Sequence, residues 1–395
     1  MEPTAPPKRI YLDYASATPV SVCALKAMRA AEGFVGNPGA IHHEGVEAKR
    51  ALEDARAAIA RELGAKSREV VFTSGLTEAN NLPILGLARA LASSGRSIEG
   101  THWVTSSIEH AAVLEAFAEV ERLGGIVTHI DPASSGLIAP EAVVQALRPE
   151  TVLVSIGWVN NEIGIVQPLR DIARAVKEKH DTALIHSDAG QAPLYLSPQV
   201  HTLEVDFLSL GSNKLYGPHG IGALYLSNRA AVRGIVMGGK QERGLRAGTE
   251  NVALAAGFAA ACAEAGQLRA KESKRLTELS RRLRDGIARA IPTATFNGSP
   301  RHALPHIVNI SLPNISSEYV TLALDHQGFA ISTKSACREG EEGESHVVRA
   351  LMSDAPEEQW RAKNTLRISL GRETTEAQLE ELINTLRKII SVNAS

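Results

Sequence analysis

The sequence predicts an α/β protein, with a large unit built on a mostly parallel sheet and a smaller α+β unit after it. Three observations predict this. From Val70 to Ser227, strand-like and helix-like runs alternate, the order of a sheet whose crossovers are helices. Several of those strand runs are apolar on both faces, as strands covered from both sides must be. After Asn251 the pattern changes to a long helical region, then separate strands and a closing amphipathic helix.

Taken in order, residues 1–8 are Pro-rich and read as loose chain, and Ile10 to Tyr14 reads as a short strand. Ser21 to Glu32 reads as a helix, and Gly36 to Gly45 (GNPGAIHHEG) as a loop by its Gly and Pro content. Glu47 to Leu63 carries alanine and leucine at helical spacing. VVFTS, HWVTSS, IVTHID, TVLVSIGW, ALIHSD, VDFLSL and GALYLS then read as strands. The helices between them are Thr77–Ala92, His110–Leu123, Pro140–Leu147 and Leu169–His180. Asn251–Ala265, alanine-rich and apolar, and Arg269–Ile291, charged and amphipathic, make a long helical region; HIVNISLP, GFAIST and TLRISL read as strands, and Thr375–Val392 as the last helix. We expect residues 1–15 to pack with the small domain, 16–262 to form the large domain and 263–395 the small one. No internal repeat is visible, and Arg338 to Ser345 (REGEEGES) reads as an acidic, mobile loop.

Composition narrows the function. The chain has 395 residues, 44% hydrophobic and 22% charged, the profile of a globular protein with a sizeable core. A net charge of -2 and only 4% aromatics give no argument for nucleic acid or an acidic membrane as partner. Cys23, Cys262 and Cys337 are too few and too scattered for a disulfide framework or a zinc site, and they fit a reducing compartment. No signal peptide and no membrane-spanning run is visible, so a bacterial-type cytoplasm is the expected location.

Several strand ends carry polar residues that bear on chemistry. Lys214 lies between two apolar strands, where an amine must be paired, neutralised or bonded; most lysines are solvated surface groups instead. Ser74 to Asn81 (SGLTEANN) joins a strand to a helix; Gly75 and the helix start can cradle a phosphate, or Ser74 or Thr77 is an ordinary cap. Asp188 ends an apolar strand, where an acid can hold a proton on a ring nitrogen or simply cap a loop. Gln191 faces either the same ligand or solvent. His110 sits at a strand-to-helix junction as a cap, a core group or a functional one, and Asn160-Asn161 supply turn chemistry or ligand contacts. All fall at the same end of their strands. A phosphate-holding helix start, an acid, amides, a histidine and a lysine together suit pyridoxal phosphate.

These motifs carry a resemblance. YLDYASATP, GNPGAIHHEG, VVFTSGLTEANN, EHAAVL, VNNEIGIVQP, HSDAGQ, KLYGPHGIGALY, ERGLRAGTEN, SACREG and ISLGRETTEAQL follow the order and approximate spacing of the cysteine desulfurases, almost end to end. The chain thus resembles those fold-type I pyridoxal-phosphate enzymes of the aminotransferase class V group. The resemblance implies that Lys214 is the Schiff-base lysine and moves the proton at the substrate Cα. Asp188 would pair with the pyridinium nitrogen, and His110 would stack on the ring. Asn161 and Gln191 would contact its phenolate oxygen, with Asn161 also near the substrate. Gly75, Leu76 and Thr77 would bind the phosphate, with Ser212 and Asn213 beside it. Thr249 would reach the phosphate of the neighbouring subunit, implying a homodimer. Arg372 would clamp the carboxylate of L-cysteine. Cys337 would take the sulfur as a persulfide and pass it to an acceptor protein of iron–sulfur cluster assembly or tRNA thiolation.

The chain departs from the family pattern in two places. Gly211-Ser212-Asn213-Lys214 stands where the family has Ser-Gly-His-Lys or Ser-Ala-His-Lys, so an uncharged amide replaces the phosphate-contacting histidine, which implies weaker phosphate binding. Lys334 replaces a glycine three residues before Cys337, which stiffens the loop or helps ionise the thiol. A selenocysteine lyase, a transaminase, and a weakly active regulatory homologue are the alternatives; product analysis and cofactor absorbance separate them.

Overall fold

The computed structural model describes residues 9–333, 344–352 and 355–393. In chain order the elements are β1 (Ile10–Tyr11), α1 (Val22–Ala31), α2 (His43–Leu63), β2 (Val70–Thr73), α3 (Leu76–Ser93), β3 (His102–Ser106), α4 (Ala111–Arg122) and β4 (Ile126–Ile130). They continue with α5 (Pro140–Ala146), β5 (Thr151–Ser155), α6 (Leu169–Lys179), β6 (Leu184–Asp188), α7 (Val200–Leu203), β7 (Phe207–Gly211) and β8 (Gly222–Leu226). The chain closes with α8 (Val252–Ala290), β9 (Thr295–Phe296), β10 (Ile307–Ser311), α9 (Ser317–His326), β11 (Phe329–Ala330), α10 (His346–Leu351), α11 (Trp360–Lys363), β12 (Thr365–Ser369) and α12 (Glu376–Asn393).

Seven strands form the main sheet in the order β2-β8-β7-β6-β5-β3-β4. All run the same way except β8, which is antiparallel to both of its neighbours. The architecture is therefore α/β with a mostly parallel sheet, and β2, β3, β5, β6 and β7 all deliver their carboxyl ends to one edge. A three-stranded antiparallel sheet, β12-β10-β9, forms the second layer system, and β1 pairs in parallel with β11. Among the described residues, no helix is long and apolar enough to cross a membrane.

The long helical region read from Asn251 onward is a single helix, α8. Gly266 within it is a close approach: an added Cβ would lie 2.5 Å from Glu62 Oε2 on α2. Two differences from the sequence reading have clear causes. Helix α2 begins four residues earlier than expected, inside the predicted loop, because the His42 ring accepts from Gly45 N–H and caps it. GFAIST yields only the two-residue β11, since its partner β1 is equally short.

A polar chain crosses the middle of the main sheet. Ser209 Oγ donates to Ala79 O (2.8 Å), so His186 Nε2–H donates to Ser209 Oγ (3.0 Å) and Ser155 Oγ donates to His186 Nδ1 (2.7 Å). This ties β5, β6 and β7 to α3 and requires a neutral imidazole. Burial holds His186 and His306 at about 3, and His102 at about 4. An unfolded histidine titrates near ~6.5, so the unfolded chain binds more protons between these values and folding stability falls as pH drops below about 6.5. Burial raises the Glu109 carboxyl to about 7, which offsets one histidine in the same window. The expected net loss is at least roughly 3 kcal/mol between pH 6.5 and pH 4.5. Denaturant titrations at the two pH values measure it, and unchanged midpoints would contradict the neutral assignment.

Candidate active site

One cavity of about 330 Å³ opens at the carboxyl edge of the main sheet, and its wall contains Gly75, Leu76, Thr77, His110, Asn161, Asp188, Gln191, Asn213 and Lys214. The fold thus brings nine of the residues singled out from the sequence into one place. Each follows the end of a strand: β2 leads to Gly75, β3 to His110, β5 to Asn161, β6 to Asp188 and β7 to Lys214.

Helix α3 starts at the cavity with no side-chain cap on its first turn. Gly75 sits at φ 156, and nothing stands within 4 Å of where its Cβ would be. Leu76 seats the helix: a Cβ on Gly190 would meet its Cδ2 at 2.4 Å, and one on Gly211 its Cβ at 2.9 Å. Both glycines are therefore required by the close packing of α3 on the ends of β6 and β7.

Asp188 is fixed by two N–H donors, Asn80 Nδ2 at 2.6 Å and Gly190 N at 2.7 Å. Lys214 Nζ donates to Ala15 O at 2.5 Å. The turn that carries it is pinned from the N-terminal segment: Thr18 N–H and Oγ1 both donate to Asn213 O (2.9 Å each), and Thr18 Oγ1 accepts from Tyr216 N at 2.7 Å. Tyr216 takes a left-handed φ of 60, a strained state for a tyrosine that this clamp holds in place. Gln191 donates to Ala15 O (2.8 Å) and accepts from His306 Nε2 (3.0 Å), which leaves its second N–H for a ligand.

His110 caps α4, its Nδ1 accepting from Ala112 N at 3.1 Å, so its proton resides on Nε2. Burial pushes this imidazole below its ordinary value; Asp188 opposes the shift and Lys214 reinforces it. Glu109, also on the cavity wall, accepts from Ser106 Oγ (2.6 Å) and Gly157 N (3.0 Å). Burial is the main cause of its raised value, and the charge of Asp188 adds to it.

Three predicted residues are placed elsewhere. Ser212 does not reach the cavity wall; its Oγ is buried, has no partner among the described residues, and points at Gly217, where a Cβ would lie 2.2 Å away. Arg372 lies past the end of β12 and turns toward α8, where it donates to Glu264 Oε2 (2.5 Å) and stacks on Tyr216 at 4.0 Å. It is therefore absent from the cavity wall. Thr249 lines a neighbouring cavity of about 220 Å³ that shares Ser74, Gly220 and Ile221 with the first. Cys337 and Lys334 lie outside the described residues, as does most of the acidic loop. Of the other two thiols, Cys23 is exposed, and burial pushes the Cys262 thiol up.

The sequence reading missed Arg367. It stands in the middle of β12, is 1% exposed, and donates to Asp13 Oδ1 (2.8 Å), Ser16 Oγ (2.7 Å) and Asn161 O (3.0 Å). Ser16 and Asn161 line the cavity. The signal was present, since an arginine inside an apolar strand such as TLRISL is almost never buried without a purpose. Glu109 and His346 were also missed; His346 Nε2 donates to Glu109 O (3.0 Å), and Ser345 Oγ donates to Glu162 Oε2 (2.5 Å), which ties the start of α10 to the cavity wall.

Known proteins resemble this chain along nearly its whole length. Over 385 residues the chain is 39% identical to the cysteine desulfurase IscS of Dictyoglomus turgidum, covering 97% of this chain and 95% of the relative. A solved NifS-like protein superposes with a TM-score of 0.89 at 31% identity, covering 97% of this chain and 100% of that one. SspA in complex with cysteine superposes with a TM-score of 0.76 at 35% identity, covering 91% and 98%. The aminotransferase class-V profile matches residues 10–382, and with the full-length relatives it establishes that the chain belongs to the aminotransferase class-V family.

Proposed function

We propose that this chain is a pyridoxal-phosphate-dependent cysteine desulfurase. It takes sulfur from L-cysteine, releases L-alanine, and holds the sulfur on Cys337 as a persulfide for an acceptor protein of iron–sulfur assembly or tRNA thiolation. The observation that carries this reading is the meeting of Lys214, Asp188, His110 and the uncapped start of α3 in one cavity. The names of the relatives support it, one of them being a cysteine complex.

The residues present fit the cofactor. The open space at Gly75 and the start of α3, where the N-cap residue makes no side-chain cap, suit a phosphate. Asp188, held by two N–H donors, remains an acceptor for a protonated ring nitrogen. Asn161 and the free N–H of Gln191 would meet the phenolate oxygen. When bound, pyridoxal phosphate supplies an electron sink for charge developing at the substrate Cα.

The protein's own groups do the rest. Lys214 would hold the cofactor and carry the proton to and from the substrate Cα. His110, neutral with its proton on Nε2, stacks on the ring and donates a proton. Arg367 takes the role first assigned to Arg372, because its guanidinium stands against Ser16 and Asn161 on the cavity wall. In sulfur transfer the Cys337 thiolate attacks the substrate sulfur. An S–S bond forms, the C–S bond breaks with its electron pair left on Cβ, and a proton completes alanine. Ser332 pairs with Arg367, and Ser345 with Glu162, so both chain ends leading to Cys337 are held beside the cavity.

A second copy of the chain fits the exposed apolar surface between α1 and α2, where Val35 is 85% and Ile41 98% exposed. Thr249 would serve the partner's phosphate from its adjoining cavity. A cytoplasmic location accords with the three scattered cysteines. The test is to add L-cysteine and a reductant to the purified protein, then measure alanine and sulfide. Equal yields are expected from the parent; Cys337→Ala is expected to keep its cofactor colour and lose both products. A Cys337→Ala variant that desulfurates as well as the parent would sink the persulfide step.

A further inference from the structure

Among the described residues, the cavity wall carries three bases, His110, Lys214 and His219, and three acids, Glu78, Glu109 and Asp188. Two of the bases have work already, which leaves His219. Its position is set by the sheet. Strands β2 and β8 are antiparallel with Thr73 opposite Gly222, and a Cβ on Gly222 would lie 2.6 Å from the carbonyl carbon of Gly75. The segment 219–221 therefore runs alongside 74–76, at the start of α3. Gly220, at φ +82, makes the turn there, and His219 stands exposed at the rim.

Among the described residues, this end of the cavity is short of positive charge. The carboxylate of Glu78 already sits at the helix start, accepting from Ser74 N (2.6 Å), and it occupies Arg246 Nε at 3.2 Å. Asn213 offers only a neutral amide, and Ser212 faces away. A phosphate placed here meets helix N–H groups and one resident anion, with His219 as the unassigned base on the wall.

We propose that His219 is a cofactor-binding residue whose protonated imidazole pairs with the phosphate ester at the start of α3, supplying charge that Asn213 does not. The inference rests on the pyridoxal-phosphate reading above. A phosphate beside an imidazole favours its charged form, and a charge-assisted contact of this kind changes affinity by roughly tenfold or more.

The test compares two probes on the full-length chain freed of cofactor: pyridoxal phosphate, and pyridoxal, which has the same ring and aldehyde without the phosphate. Binding is followed by tryptophan fluorescence. His219→Gln is expected to weaken pyridoxal phosphate about tenfold and leave pyridoxal unchanged, with His219→Lys restoring most of the loss. Equal weakening of both probes, no weakening of either, or failure of lysine to restore overturns the proposal. A parent chain that binds neither probe overturns the cofactor reading itself, a result distinct from the other three.

Discussion

Lys214→Ala is expected to lower the rate of alanine formation at least about 10³-fold, because it removes both the covalent hold on the cofactor and the group that moves the Cα proton. Fold damage is not the expected cause, because the turn that carries the lysine is held independently by Thr18. Borohydride treatment is expected to leave cofactor covalently bound to the parent and removable from the variant. Lys214→Arg keeps the charge but holds its proton too tightly to act as a base, so it is expected to be as inactive as the alanine variant. Measurable turnover in either variant near the parental rate would remove Lys214 from the mechanism.

The second large effect separates two arginines. Arg367→Lys keeps a positive charge in β12 but loses the planar fork that meets a carboxylate on two oxygens. Truncating or reshaping a buried, hydrogen-bonded charge of this kind costs about 2–5 kcal/mol, which is roughly 30-fold to 5,000-fold in kcat/KM for cysteine. Most of the change is expected in KM if the arginine grips substrate and transition state alike. Arg372→Lys is expected to change kcat/KM less than about tenfold, since that side chain is occupied by Glu264 and the Tyr216 ring. Melting temperatures of both variants check that loss of the Arg367–Asp13 ion pair has not unfolded the sheet edge. The opposite ranking, with Arg372 the more sensitive, would restore the original assignment.

Both experiments read a site in which one class of residue was legible from the chain alone. Strand ends were visible because apolar runs stop abruptly, and Gly75, Asp188, Asn161 and Lys214 each follow such a stop. Alternation of strands and helices implies right-handed crossovers and hence a common carboxyl edge, so the convergence of those residues could be reasoned before any coordinates. Arg367 and Arg372 show where that reasoning ends. They are five residues apart, both arginine, and both close to the same strand. Which of them turns inward depends on what lies across from each: Asp13, Ser16 and Asn161 in one case, Glu264 and Tyr216 in the other. These partners are up to several hundred residues distant in sequence, and no local pattern encodes them.

The same division runs through the fold. The sequence by itself determined the α/β class, the existence of nearly every element, the strand ends that carry the lysine, the acid and the phosphate cradle, and the family. These follow from periodicity and from short motifs, both of which are local. Only the tertiary structure decided that α8 passes close to α2 at Gly266, that Ser212 points at Gly217 while Asn213 reaches the cavity, and that Arg367 bonds to Ser16 and Asn161 of the cavity wall while Arg372 turns to Glu264. In each case the outcome rests on close approach between segments far apart in the chain, where a few tenths of an ångström select one rotamer or one backbone path, and such distances exist only once the chain has folded.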